Sequence, residues 1–390
     1  MLTREAVCCL SRHWRAIGLA DGVLWSHVFV SPRLERSDIL RCSGRCSSDL
    51  DVYVELLDMT LDPSFLPWFT VHVAPLLLRC REISIVSPYT SPSMDLFRTL
   101  STLDGTSLQS VYLDFRPVAL HEQWMNSPIP PPFRGLLPQL RLFSMRRNFL
   151  LPSTTPFFQS LQELHLCSLR HPYMPTMETM LDIFRSTPSL VRLRLRDVEC
   201  SGWRTSSLPL PILANLTHLA IINLTVGVID LLSFVSMPSL HTFHLEYRHD
   251  NAMEYMQIAW VDIFLGVTTA IVRTESWDHD MFARVLCRFK AAIRIDLRKN
   301  DHLISGAFHH LVLTWEGYLV NAEIVLLPSW LPLVTAADLL TNPRRRSGSA
   351  RLHLITPSSL FDLTTSVEYY LSADGTVRSR PVFGPVDFWV

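Results

Sequence analysis

A six-residue hydrophobic signature, apolar-x-x-apolar-x-apolar, returns every 21 to 32 residues between Cys80 and Leu245. A chain with that period buries its apolar faces by stacking each copy on the next. The sharpest copies are Leu161/Leu164/Leu166 and Leu190/Leu193/Leu195, and looser ones fall at Leu216/Leu219/Ile221 and Leu240/Phe243/Leu245. Upstream the same frame holds Cys80/Ile83/Ile85, Leu108/Val111/Leu113 and Leu140/Phe143/Met145. Any one of these alone would describe an ordinary buried strand. Seven in phase describe an array.

Most of these spacings are those of a leucine-rich repeat, so the expected fold is α/β, a horseshoe-like solenoid with irregular repeats. A proline two residues before the first anchor, at Pro138, Pro188 and Pro238, spares the strand ladder the cost of a missing N–H. Between strands, Met177, Met180, Leu181 and Phe184 share one helical face after Thr176, a good N-cap, and Val228, Leu231, Leu232 and Val235 repeat the spacing. The expected unit is therefore turn, strand, loop, helix. The array is expected over 48–365, with a less regular register from 250 to 345, where Ile293/Ile295/Leu297 supplies a further strand. The segment 366–390 is expected to be a C-terminal tail or a cap on the last hydrophobic edge, irregular after Val377 where Pro381 and Pro385 fall close together.

Composition narrows the function. Hydrophobic residues are 48% and charged residues 18% of 390, ample for a core, and a formal net charge of −1 gives no global attraction to nucleic acid or acidic lipid. No nucleic-acid or membrane partner is expected. The apolar stretch from Leu208 to Val235 is interrupted by Asn215, His218, Asn223 and Asp230, so it reads as a strand followed by a helix, and the sequons at Asn215 and Asn223 as unused. Eight scattered cysteines suit reduced thiols, and Cys42 and Cys46 lack a second ligand pair, so neither a metal nor any other cofactor is expected. With Arg4, Glu5, Arg12, His13 and Arg15 interrupting the first stretch, a secretory leader is not expected. A cytoplasmic or nuclear location follows. Arg344, Arg345 and Arg346 are read as a solvated loop.

The first 30 residues carry another signal. Val7, Leu10, Trp14 and Ile17 fall on one helical face, and Leu24 and Trp25 begin a second apolar contact. The order Val7-Cys8, Trp14-Arg15, Leu24-Trp25 resembles the second half of an F-box, and Leu34-Glu-Arg-Ser37 resembles the linker of many fungal F-box proteins with leucine-rich repeats. That resemblance divides the chain into a short helical partial F-box at 1–30, a connector at 31–47 and the array. It implies that Val7, Cys8, Leu10, Trp14, Leu24 and Trp25 dock an SCF adaptor bound to a cullin, while the repeats hold an unidentified protein substrate. The Leu-Pro-x-Glu helix that opens an F-box has no counterpart here. Either the start codon lies further upstream, or adaptor binding is lost and the segment is a cap.

No enzyme is expected: the chain has no Gly-x-Ser-x-Gly elbow, phosphate-binding glycine loop or His-Glu-x-x-His helix. Trp277-Asp-His-Asp280, His121-Glu122 and His309-His310 read as turns and surface. The expected site is the concave strand face, where residues between buried anchors alternate outward. That rule selects Arg146, His165, Arg192, Arg194, Arg196, His218 and His244 as partner-binding, with Arg146, His165, Arg194, His218 and His244 forming one basic column for an acidic or phosphorylated partner. The expected function is a substrate receptor of an SCF-type ubiquitin ligase, with a ligase-independent repeat scaffold as the alternative.

Overall fold

The element that repeats is a turn that hands the chain into a strand. Leu140 N–H donates to the carbonyl of Leu137, Leu190 to Thr187, Leu216 to Leu213 and Leu240 to Met237, each an i to i+3 bond that closes just before the strand. Pro138, Pro188 and Pro238 occupy the second position of three of these turns, where a fixed φ is an advantage. The residue three places before each first anchor is itself buried, as Leu137, Phe158, Thr187, Leu213 and Met237 show. The signature is thus longer than the sequence pattern suggested.

The computed structural model describes residues 11, 16, 27–30, 50–55, 65–88, 96, 98–103, 105, 107–116, 133, 137–147, 156–169, 174–202, 209–223, 225–247, 264–274, 285–286, 288–297, 324–326, 353–357, 365–371 and 377–383. The chain divides into two compact units, residues 1–190 with 198–211, and residues 191–197 with 212–390. Val7, Cys8, Leu10, Trp14, Leu24 and Trp25 lie outside the described residues, as do the connector motif Leu34–Ser37, Cys42, Cys46, His121, the Trp277–Asp280 stretch, His309, His310 and Arg344–Arg346.

In the first unit, strands β1 (His27–Val30), β2 (Leu50–Glu55), β3 (Cys80–Pro88), β4 (Ser110–Arg116), β5 (Leu142–Arg146) and β6 (Glu163–Cys167) pair in chain order, every pair parallel. A parallel neighbour requires the chain to return to the same end before each new strand, so consecutive parallel pairing makes one coil per strand. Helices α1 (Phe65–His72) and α2 (Ala74–Leu77) lie between β2 and β3 in the chain, and a 3-10 turn at Pro156–Ser160 precedes β6. Phe158 from that turn meets Phe143 of β5 edge-on at 6.5 Å. Helix α3 (Met177–Ser186) begins where the Thr176 hydroxyl accepts from Thr179 N–H, and Met177, Met180, Leu181 and Phe184 are buried as their spacing predicts.

In the second unit, β7 (Arg192–Arg196), β8 (His218–Ile222), β9 (Thr242–Tyr247), β10 (Thr269–Thr274), β11 (Arg294–Asp296), β12 (Ile324–Leu326) and β13 (His353–Pro357) follow the same parallel rule. Helix α4 (Val226–Ser233) packs Val228, Leu231 and Leu232 inward, so the stretch from Leu208 includes a strand and a helix as expected. Among the described residues no helix is long and apolar enough to cross a membrane. Phe243 of β9 touches Phe264 and Phe289 with ring centroids 5.2 and 5.8 Å apart, and the latter two meet at 4.9 Å. Phe264 and Phe289 sit three places before Val267 and Ala292, where the array needs a buried turn residue.

The structure makes three corrections. His27–Val30, the end of the segment read as helical, is strand β1, paired with β2. The segment from Val377, read as irregular, holds strand β15 (Val377–Phe383), antiparallel to β14 (Thr365–Leu371), which is antiparallel to β13. The frame in the less regular stretch is Ala292/Ile295/Leu297, with Ile293 43% exposed, because the turn bond to Phe289 fixes Ala292 as first anchor; a further copy lies at Val267/Ala270/Val272. Where a regular repeat keeps an Asn ladder, Leu169 and Val198 are buried. The polar role moves one residue earlier, to positions with positive φ at Arg147, Ser168, Asp197 and Asn223. There Asn223 Nδ2 donates to Asp197 Oδ1 at 2.6 Å, tying successive coils.

Candidate interaction face

All three anchors of each of the seven copies are buried, so the alternate residues of each strand point to the opposite face. Parallel register turns those residues into rows that cross the strands.

In the first unit one row runs Asp51, Glu82, Ser110, Leu142 and Glu163, a second Tyr53, Ser84, Tyr112, Ser144 and His165, and a third contains Val86, Asp114, Arg146 and Cys167. Asp51 pairs with Arg81 at 3.0 Å and with His27 at 3.3 Å. Asp114 lies 3.8 Å from Arg146 and 3.4 Å from Arg147, and His165 lies 3.8 Å from Glu163. Burial, then the neighbouring Asp51 charge, raises the Glu82 carboxyl above its usual range, and burial does the same for the Tyr112 phenol. Arg146 and His165 are already balanced by carboxylates here.

The second unit is different. Its rows are Arg192, His218, Thr242, Thr269 and Arg294; then Arg194, Ala220, His244, Ile271 and Asp296; then Arg196, Ile222, Glu246 and Arg273. The expected single column therefore does not form as drawn. Arg194 and His244 share a row, but Ala220 stands between them and His218 belongs to the row of Arg192. In the first unit Arg146 aligns with Cys167, and His165 with Ser144. The error is one of two residues along the strand, which keeps a side chain on its face while moving it to another row.

Openness varies across these rows. Ile222, Ile271, Arg273 and Asp296 are buried, whereas Arg192, Arg194, Arg196, His218 and Ala220 are half-buried and reach solvent. His244 forms the inner wall. Burial, reinforced by the Arg273 charge, lowers its pKa to about 4, so at neutral pH the imidazole is uncharged. Its Nε2 stands 3.9 Å from Glu246, whose carboxylate also lies 3.7 Å from Arg273. His218 Nδ1 is 2.8 Å from the Thr217 hydroxyl, and that hydroxyl donates to Val191 O at 3.3 Å. A hydroxyl has one proton to give, so His218 Nδ1 is the donor in the first bond.

Sequence reasoning missed Arg273, Arg294 and Asp296. Their signal is the frame at Val267/Ala270/Val272 and Ala292/Ile295/Leu297, where alanine in an anchor position hides the pattern. With them, five arginines face three carboxylates, Asp197, Glu246 and Asp296, a local excess of positive charge in a chain of net charge −1. Arg196 Nε reaches Asp197 at 3.7 Å, and buried Arg194 Nε has no hydrogen-bond partner among the described residues. Among the described residues no cluster suits a metal ion. The thiols of Cys80 and Cys200 are each pushed up to about 12 by burial, which makes them poor nucleophiles. The chemistry this face offers is charge and hydrogen bonding. Compared with known proteins, the chain matches no family model and no curated protein.

Proposed function

We propose that this chain is a protein-interaction receptor that serves as a substrate-recognition subunit of an SCF-type ubiquitin ligase. The observation that supports recognition is the half-exposed row of Arg192, Arg194 and Arg196 on β7, arginines set two residues apart on a strand whose other face is buried in the array. Arginine is suited to such work because its planar fork bonds carboxylate oxygens in pairs. Ligase membership rests on the F-box resemblance at Val7, Cys8, Leu10, Trp14, Leu24 and Trp25. In that role the receptor contributes no nucleophile. It raises the local concentration of target lysines beside a charged conjugating enzyme, and proximity supplies the rate.

A second reading has its own support. Residues His27–Val30 of the F-box-like segment are a strand of the sheet, so that segment continues into the array, as a cap would. On this reading the chain holds a protein partner and recruits no ligase.

Co-purification separates the two. The receptor reading expects the full chain to retain the SCF adaptor, and Trp14→Ala with Trp25→Ala to lose it. No adaptor with the folded chain, nor with a version extended upstream through in-frame codons, moves the function to the scaffold. Recognition is read independently: Arg192→Glu, Arg194→Glu and Arg196→Glu together are expected to abolish partner capture from native extract, and unaltered capture by the folded variant would remove the basic face from the reading.

A further inference from the structure

The β7 row fixes more than the sign of the partner's charge. Alternate residues of a parallel strand lie about 6.6 Å apart, the same step that an extended peptide takes between side chains on one of its faces. Beside this row the face dips: Ala220 stands between Arg194 and His244, which are two strands apart, about 9.6 Å between backbones. The short side chain of Ala220 makes the dip, with Arg194 and His244 on either side of it in register and His218 and Ile222 two residues away along β8. Among the described residues, the buried Arg194 Nε and His244 Nε2 have no hydrogen-bond partner. Buried polar atoms are rarely left so.

We propose that β7 reads an extended, unmodified acidic segment of a partner protein carrying carboxylates at alternate positions, the central one seated over Ala220 between Arg194 and His244. This rests on the receptor reading and adds the ligand to it. The arginine spacing sets the alternation, since carboxylates at neighbouring positions would point to opposite faces of the peptide and leave arginines unmatched. The choice of carboxylate over phosphate comes from the charges already present. Glu246 lies 3.9 Å from His244 Nε2, and Asp197 lies 3.7 Å from Arg196 Nε, so a dianion meets more repulsion than a monoanion. The uncharged His244 brings no second positive charge to the site.

The test uses the full chain and three fluorescein-labelled peptides read by anisotropy. One alternates Glu and Ser over seven residues beginning and ending with Ser, the second holds the same three Glu as a block, and the third replaces each Glu of the first with phosphoserine. The alternating peptide is expected to bind about threefold more tightly than the block isomer, because a block of three still sets its first and third Glu on one face and loses one modest ion pair. Ala220→Leu, which fills the dip from the outward face, and Arg194→Gln are expected to remove that preference. Equal binding of alternating and block peptides would overturn the spacing and leave the basic receptor face standing. Tighter binding of the phosphoserine peptide would overturn the carboxylate assignment. No binding of any peptide, with partner capture unchanged in the triple charge reversal, would remove the receptor reading along with it.

Discussion

At the scale of single residues, His244 shows what burial does to an ionisable group of the candidate face. Its pKa is lowered to about 4 by burial first, then by Arg273, with Arg194 adding to the effect and Glu246 and Asp296 opposing it. Because the unfolded imidazole titrates near 6.5, the unfolded chain holds a proton between pH 6.5 and 4 that the native chain does not. Stability must therefore fall as pH is lowered through that window. The loss from this group alone is about 2 kcal/mol at pH 5, since one pKa unit is worth about 1.4 kcal/mol. His244→Asn keeps a small polar side chain and removes the titration, so its urea midpoint is expected to drop less than the wild type's between pH 7.5 and pH 5. An equal drop in both proteins would mean that His244 takes its proton in the folded state. Alternation along the strands made His244 and the β7 arginines legible in the sequence, because inward and outward positions follow a period of two. Their grouping was not legible, because it depends on which residues align between coils of unequal length.

At the scale of elements, the sequence spoke most clearly where one physical requirement governs one residue type. Thr176 before Met177 announces an N-cap, and its hydroxyl accepts from Thr179 N–H at 3.1 Å. Thr176→Ala removes that acceptor and is expected to cost about 1 kcal/mol, read as a lowered urea midpoint, while Thr176→Ser restores it. A Thr176→Ala variant as stable as the parent would show that the parallel bridge to Ser201 alone sets the start of α3. Within each described copy, leucine or an equivalent in the frame marks a strand for the same reason: the position is enclosed by neighbouring coils. Legibility fails where alanine serves as anchor, at Ala270 and Ala292, since a small residue carries little hydrophobic signal and the enclosing bulk comes from Phe264 and Phe289 in the turns. It fails also at Val377–Phe383, where prolines suggested irregular chain although an edge strand accepts them.

At the scale of the whole molecule, a stack of parallel strands has a liability at each end, because the last strand offers unpaired N–H and C=O groups to any other chain. The second unit meets this by reversing direction. β14 runs antiparallel to β13, and β15 antiparallel to β14, so the parallel register stops at His353–Pro357. β15 is poorly suited to extend the sheet, since Pro381 lacks an N–H and Arg378 and Arg380 bring like charges to any identical strand beside it. A chain ended at residue 360 leaves β13 with one edge unpaired and without those safeguards. It is expected to self-associate, with a larger mass by light scattering than the full chain at equal concentration. The complementary change keeps the hairpin and removes the blunting: Arg378→Thr, Arg380→Thr and Pro381→Val together are expected to raise the mass with concentration while the full chain's stays constant. Self-association of the truncated chain alone would assign protection to the act of covering β13. Self-association of both would assign it also to the residues of β15, so that the end of the array is guarded by pairing and by sequence together.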